Sequence, residues 1–467
     1  MRRLTFFIAC LGFSSSNLCA APISFIEAWQ MVQQDNHSLA AQRANVERYQ
    51  HLQNASSAKN WPSITLGANY TRLDNDITLS GQQIVDSSGQ SISIPASVAS
   101  SELGAIISSL GNLTSTITEQ DVFSSSIRAI WPIFTGGRIS AAQQAAESKK
   151  MQAQSELAME VQARFEDLSK YYFSVLLAQD VLNTRQLVVQ GLTRHYHNAI
   201  KLEQQGQIAH VERLQAQAAL DRANVEHNKA RNNLKIAQSA LTQILNQVVN
   251  VEPGDSLFTN ANLPPLTAFV DQTLANYPGL SILDAKEQQA RSLIKAEQGK
   301  YYPNVYLYGD YSLYEDDSLA SQLKPDWLVG IGVSIPLIDN SGRSDNVAAA
   351  QSAVKQVRHK KAQAKQDLNV LVQKTYYQAE QAQQEVQGLA SSIELAQENL
   401  TLHQKAFAQG VSTSTDVVDA ELNLASVKTQ RAAAKYNYVI ALSRLLALSN
   451  EMDSFAQYQS TPAITAH

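Results

Sequence analysis

The chain has 467 residues, of which 44% are hydrophobic and 17% charged, and it carries a formal net charge of -5. This balance has no nucleic-acid signature, and the length suits two or three ordinary domains. The only two cysteines, Cys10 and Cys19, fall near the start, so the rest of the chain has neither a disulfide nor a thiol nucleophile.

Met1-Arg2-Arg3, the apolar stretch Leu4 to Phe13, and the small and polar residues up to Leu18-Cys19-Ala20-Ala21-Pro22 have the layout of a secretory signal peptide, residues 1–20, cleaved after Ala20. Leu18 stands where a lipoprotein signal has a small residue, which makes lipidation of Cys19 the less favoured reading. Beyond this segment no run approaches the ~20 apolar residues of a membrane helix. A membrane-spanning part would then have to be a closed β-barrel.

The remainder is one unit written twice. Asn36-His37-Ser38-Leu39 and Trp61-Pro62 answer to Tyr277-Pro278-Gly279-Leu280 and Tyr302-Pro303. Trp131-Pro132-Ile133-Phe134 with Gly137-Arg138 answers to Ile335-Pro336-Leu337-Ile338 with Gly342-Arg343, Tyr171-Tyr172 to Tyr376-Tyr377, and Gln205-Gly206 to Gln409-Gly410. From Pro132 onward the displacement holds at roughly 204 residues, and that constancy marks an internal repeat.

The first repeat, 21–248, opens with helical apolar spacing from Ile23 to Ala58, which the Trp61-Pro62 pair then interrupts. Alternation of apolar and polar residues predicts a strand pair at 62–73 and 123–134, each about as long as a tilted strand needs to cross a bilayer. The segment between them, 74–121, is rich in Ser, Gly, Thr and Ile, and reads either as an outward surface loop or as a disordered insertion. A helical hairpin over 138–245 follows, turning at Gly206. Residues 249–265, with Pro253-Gly254 and Pro264-Pro265, form a linker.

The second repeat, 266–449, repeats the order: a helix from Leu266 to Gln298, a strand pair at 303–314 and 327–337, and a hairpin over 344–448 turning at Gly410. The tail, 450–467, has no pattern. The fold class is mainly α with a small β part, in two tandem structural repeats. Four strands cannot close a barrel and would leave two open edges in lipid. Several chains must therefore share one transmembrane β-barrel, with eight strands from a dimer or twelve from a trimer. The helices, longer than a bilayer is thick, pack side by side as long antiparallel hairpins forming an α-barrel.

The doubled aromatic-Pro pairs, the Pro132 and Pro336 landmarks, and the hairpin turns followed by Val211-Glu212 and Asp416-Val417-Val418-Asp419-Ala420 resemble the TolC-type outer membrane efflux proteins over nearly the whole mature chain. The resemblance implies a homotrimer in the outer membrane of a Gram-negative bacterium, with its helices in the periplasm. It implies partners too: a periplasmic adaptor (membrane fusion) protein, an inner-membrane pump of the RND, ABC or MFS type, and outer-membrane lipid, with no nucleic acid. The expected role is the exit duct of a tripartite efflux or type I secretion system, without enzyme activity, cofactor or metal. The rival reading is a structural periplasmic or surface coiled-coil protein, such as an adaptor.

By the same resemblance Asp416 and Asp419 ring the periplasmic aperture, where acidic rings attract cations. Acids in the first turn of a helix also favour its dipole with no pore involved. Glu212 takes the corresponding place in the first repeat, but Phe407 stands where the family has a tyrosine and Ser412 where it has an arginine. A closed-state latch then needs other partners, with His210 and Arg213 as candidates. The tip residues Gln205, Gly206, Gln207, Gln409, Gly410 and Val411 are the expected adaptor contacts, although both glycines serve equally as plain helix stops. His195 and His197 point to different helix faces and read as ordinary surface histidines.

Overall fold

The computed structural model describes residues 22–80, 83, 114–316, 321, 324–338 and 340–460. The signal-peptide reading with Cys10 and Cys19, most of segment 74–121 and the end of the tail fall outside the described residues.

In chain order the elements are α1 (Phe25–Asp35), α2 (His37–Ser57), β1 (Ser63–Arg72), β2 (Ile77–Ser80), β3 (Thr114–Thr118), β4 (Asp121–Phe134), α3 (Arg138–Gln204) and α4 (His210–Ile244). The second half supplies α5 (Leu266–Asn276), α6 (Pro278–Gln298), β5 (Asn304–Glu315), β6 (Trp327–Ser334), α7 (Arg343–Ala408), α8 (Ser414–Leu448) and α9 (Phe455–Ser460). The chain is thus mainly helical, and the order helix pair, strand pair, helical hairpin occurs twice. At ~1.5 Å per residue, the 67 residues of α3 run about 100 Å.

Three expectations are corrected. The opening helix of each repeat is two helices. Asn36 adopts an extended backbone, and its Oδ1 accepts from the amides of Ser38 and Leu39, restarting the chain as α2. In the second repeat Tyr277 is extended and Pro278 starts α6, where a missing N–H costs nothing. Segment 74–121 is not wholly loop: its ends pair as the antiparallel ribbon β2–β3. The tail is not patternless up to 460, because α9 buries Phe455.

The chain divides into two units. Unit one comprises Met1–Arg48, Met151–Ala285 and Val357–His467. Its core is an aromatic cluster in which Phe25 meets Phe455 at 4.6 Å, Phe173 at 5.3 Å and Tyr172 at 5.4 Å between ring centroids. Polar ties hold the chain segments around these rings. The Tyr172 hydroxyl lies 2.7 Å from both the Ile23 carbonyl and Asp255 Oδ2, and Asp255 also accepts from the Phe25 amide at 2.7 Å. Asn260, in the linker, accepts from the Tyr438 hydroxyl at 3.1 Å and donates to the Tyr458 carbonyl at 2.5 Å. The return helices α4 and α8 both end at an asparagine with positive φ, Asn246 and Asn450, the residue other than glycine that best tolerates this conformation.

Unit two comprises Tyr49–Lys150 and Lys286–Gln356 and holds an antiparallel sheet in the order β1-β4-β5-β6. The register sets Leu66 opposite Ile127, Ile127 opposite Tyr311, and Tyr311 opposite Trp327 on one face. Strand alternation then puts Thr65, Arg128 and Asp310 on the other, where Arg128 and Asp310 form an ion pair at 3.1 Å. Pro132 is tolerated in the inner strand β4 because pairing with β1 ends at Ile130 and the β5 register shifts beside it. At the strand ends the repeat-equivalent arginines turn back onto backbone: Arg138 donates to the Thr135 carbonyl, and Arg343 to the carbonyls of Pro336 and Leu337.

Candidate functional site: the hairpin tips

Both hairpins reverse at a glycine with positive φ, Gly206 at 71° and Gly410 at 72°. The amides of Gln207 and Val411 reach back to the carbonyls of Leu202 and Ala406, at 2.9 Å and 3.0 Å, which satisfies the last acceptors of α3 and α7. Gln205, Gly206, Gln207, Gln409, Gly410 and Val411 are all exposed.

The second hairpin enters α8 through a capping box. Thr413 is the N-cap; its Oγ1 accepts from the Asp416 amide at 3.2 Å, while Asp416 Oδ2 accepts from the Thr413 amide at 2.8 Å and the Thr413 hydroxyl at 2.7 Å. Ser412 Oγ donates to the same carboxylate oxygen at 3.0 Å and lies 3.3 Å from His403 Nδ1. The Thr413 amide, then the Thr413 and Ser412 hydroxyls, hold the Asp416 carboxyl below its ordinary range. Asp419 is exposed and makes no side-chain bond among the described residues. The two acids are therefore not equivalent.

The first hairpin enters α4 differently. Ala209 is its N-cap and offers no side-chain bond. Glu203 instead draws the turn together, with Oε1 2.5 Å from His210 Nδ1 and Oε2 accepting from Arg213 Nε at 2.6 Å. These contacts, that to His210 foremost, lower the Glu203 carboxyl. His210 and Arg213 thus pair with Glu203 of their own hairpin.

Glu212 reaches across to the other hairpin: its Oε2 accepts from the Ser414 amide at 2.6 Å. Beside this contact the Thr415 hydroxyl donates to Gln215 Oε1 at 3.2 Å. Phe407 is buried and packs against the ring of His195, with centroids 4.6 Å apart. The reading of His195 as a surface histidine is corrected: it is 6% exposed, and its Nε2 lies 2.7 Å from Ser414 Oγ. Burial holds its imidazole down to about 4. No local pattern announces this pair, since its members stand on α3 and α8; Thr413-x-x-Asp416, by contrast, is a legible capping box. Among the described residues there is no cluster of His, Cys, Asp or Glu fit to hold a metal ion, and no helix long and apolar enough to cross a membrane.

Comparison with known proteins gives a consistent likeness. The sequence profile described as "Outer membrane efflux protein" matches residues 28–247 and 269–451. The chain is 24% identical over 301 residues to the alkaline protease secretion protein AprF of Pseudomonas aeruginosa, covering 60% of each chain. It is 25% identical over 312 residues to the outer membrane protein TolC of Escherichia coli, covering 61% of each. The chain spans about 60% of the length of the curated relatives it matches. The fold is that of the solved structure of CusC, with a TM-score of 0.74, 14% identity and 92% of each chain covered.

Proposed function

The chain belongs to the outer membrane efflux protein family, and from that premise we propose that it is the exit duct of a tripartite efflux or type I secretion system. It passes small molecules or secreted polypeptides across the outer membrane of a Gram-negative cell and does no covalent chemistry. The observation that carries this reading is the sheet of unit two. One face is apolar and open, with Leu66 72% and Val329 73% exposed, and β1 and β6 each have one unpaired edge. In lipid such a sheet is stable only when its edges are joined to others. A homotrimer supplies twelve strands, an even number of the kind such barrels use.

The helices carry matching evidence. Exposed apolar residues recur along α7 at Val370, Tyr377, Leu395 and Leu402, and along α4 at Val211, Leu214, Val225 and Ile236. The α7 set has heptad spacing within each pair, and such seams call for partner helices. Neighbouring copies packed side by side cover them. The six exposed tip residues then meet a periplasmic adaptor, behind which an inner-membrane pump of the RND, ABC or MFS type supplies the energy.

At the aperture the trimer brings together three copies each of Asp416 and Asp419. Asp419, exposed and unbonded, is the acid free to attract cations; Asp416 holds the turn, and Glu212, Phe407 and Ser412 brace the tips. Single-channel conductance in planar bilayers tests the proposal. Cation-selective currents blocked by divalent ions, with block lost in the double variant Asp416→Ala plus Asp419→Ala, are the expected result. No current from a folded oligomer extracted from the outer membrane would instead favour a structural coiled-coil protein.

A further inference from the structure

Ser414 is the first residue of α8 and has no exposed surface. Its hydroxyl is not needed to cap its own helix, because Thr413 and Asp416 already form that box. It is hydrogen-bonded instead to His195 Nε2 of α3 at 2.7 Å, while the Ser414 amide donates to Glu212 of α4 at 2.6 Å. The His195 ring in turn rests on Phe407 of α7. One buried polar joint therefore touches all four helices of the two hairpins.

We propose that His195 and Ser414 form an acid-labile joint that holds the two hairpin tips together and lets them part when His195 takes up a proton. This rests on the reading of the tips as the aperture of a duct, and it names how that aperture is regulated.

The surroundings of His195 suit a neutral ring and not a charged one. From α3, Arg194 and Lys201 line the same cavity of about 370 Å³ and oppose a further positive charge. From α4 comes Glu212, committed to the Ser414 amide, while Arg213 is turned onto Glu203. From α7 comes His403, at Ser412. From α8 come Asp416, engaged with Thr413 and Ser412, and Glu421, which packs over Gly191 at the cavity wall and is itself drawn toward protonation by burial. Among the described residues no carboxylate is thus placed as a counter-ion to His195. A buried imidazolium without one favours any state that exposes it.

Parted tips return the ring to water, where it titrates near 6.5, whereas the joined state holds it down to about 4. The joint is at full strength above pH 6.5 and is lost as pH falls from there towards 4. At pH 5 the ratio of joined to parted tips drops about thirtyfold per chain relative to pH 8.

The test is a distance measurement by electron spin resonance on the full-length mature oligomer in nanodiscs, with one labelled chain per oligomer. Spin labels are carried at Gln207→Cys and Val411→Cys, both exposed and on opposite tips. The native background should give one narrow distribution at pH 8 and a second, longer distance at pH 5. His195→Gln, which keeps a hydrogen-bonding group but does not titrate, should stay narrow at both. Ser414→Ala should broaden already at pH 8. A native distribution unchanged at pH 5, or an equal response in His195→Gln, overturns the joint. Conductance of the unlabelled protein is recorded in parallel: a pH-dependent distance with no current would sink the duct reading and leave the joint standing.

Discussion

The amide of Ser414 donates to Glu212 at 2.6 Å, so a carboxylate carried by the first repeat stands at the N-terminus of a helix in the second. That position is favourable for a negative charge, because the first amides of a helix have no partner within it. Glu212→Ala should cost about 1 kcal/mol, in the range of a lost cap, and should raise the fraction of time the proposed duct spends open. Glu212→Gln should fall between. Thermal unfolding and single-channel recording read the two effects separately, and a variant unchanged in both would reduce the contact to an incidental one.

Asp416 and Asp419 stand one helical turn apart, yet they should respond differently. Thr413→Ala removes the N-cap hydroxyl that Asp416 serves and should cost about 1 kcal/mol. Asp416→Asn should lower the melting temperature, whereas Asp419→Asn should leave it unchanged and weaken divalent block. The Asp416 carboxyl lies below its ordinary 3.8 in the folded chain. Its contribution is therefore complete above pH 3.8 and lost as pH falls through its lowered value. Equal loss of block and equal melting in both variants would show that the two acids act as one ring.

Much of this arrangement was legible because it is local or periodic. The glycines that end α3 and α7 and the proline-free stretches before them announce the hairpins, and the constant displacement of landmarks announces the repeat. The break at Asn36 escaped detection because apolar spacing runs straight through it, while the cue lies in one side chain capping two amides. Phe455 gave no signal, since its six-residue helix is held by rings from distant segments such as Phe25 and Phe258. His195 was misread for a similar reason: its spacing from His197 says nothing about the serine it meets across 219 residues of sequence.

Gly191 exposes a different constraint. A Cβ there would lie 2.5 Å from the Glu421 carboxylate, whose residue is only 8% exposed. Gly191→Ala should destabilise the chain by about 1–3 kcal/mol, as overpacking does. Burial raises the Glu421 carboxyl, with Arg194 and Lys428 opposing the shift. A raised acid favours the folded state below pH 4.5 and loses that advantage as pH climbs through the raised value. Glu421→Gln should accordingly melt higher than the native chain at pH 8, with the gain shrinking towards pH 4. A gain that is constant with pH would assign the effect to packing alone.

The sheet of unit two depends on two glycines in β6. Gly330 and Gly332 face Tyr308 and Tyr306 of β5, whose rings lie so close that an added Cβ would meet them at 2.6 Å and 2.4 Å. Each ring therefore covers the backbone of a residue with no side chain of its own, a pairing that stabilises glycine within a strand. Gly330→Ala plus Gly332→Ala must turn both rings off β6, on the face that also carries the Arg128–Asp310 pair. Because β6 is an edge of the chain's own sheet, the disturbance falls where a shared barrel would be joined. The double variant should reach the outer membrane but lose the proposed oligomer, read by chemical cross-linking, while Gly67→Ala, with open space at its Cβ, should keep it. Oligomer retained by the double variant would mean that the tyrosines can turn away at no cost to assembly.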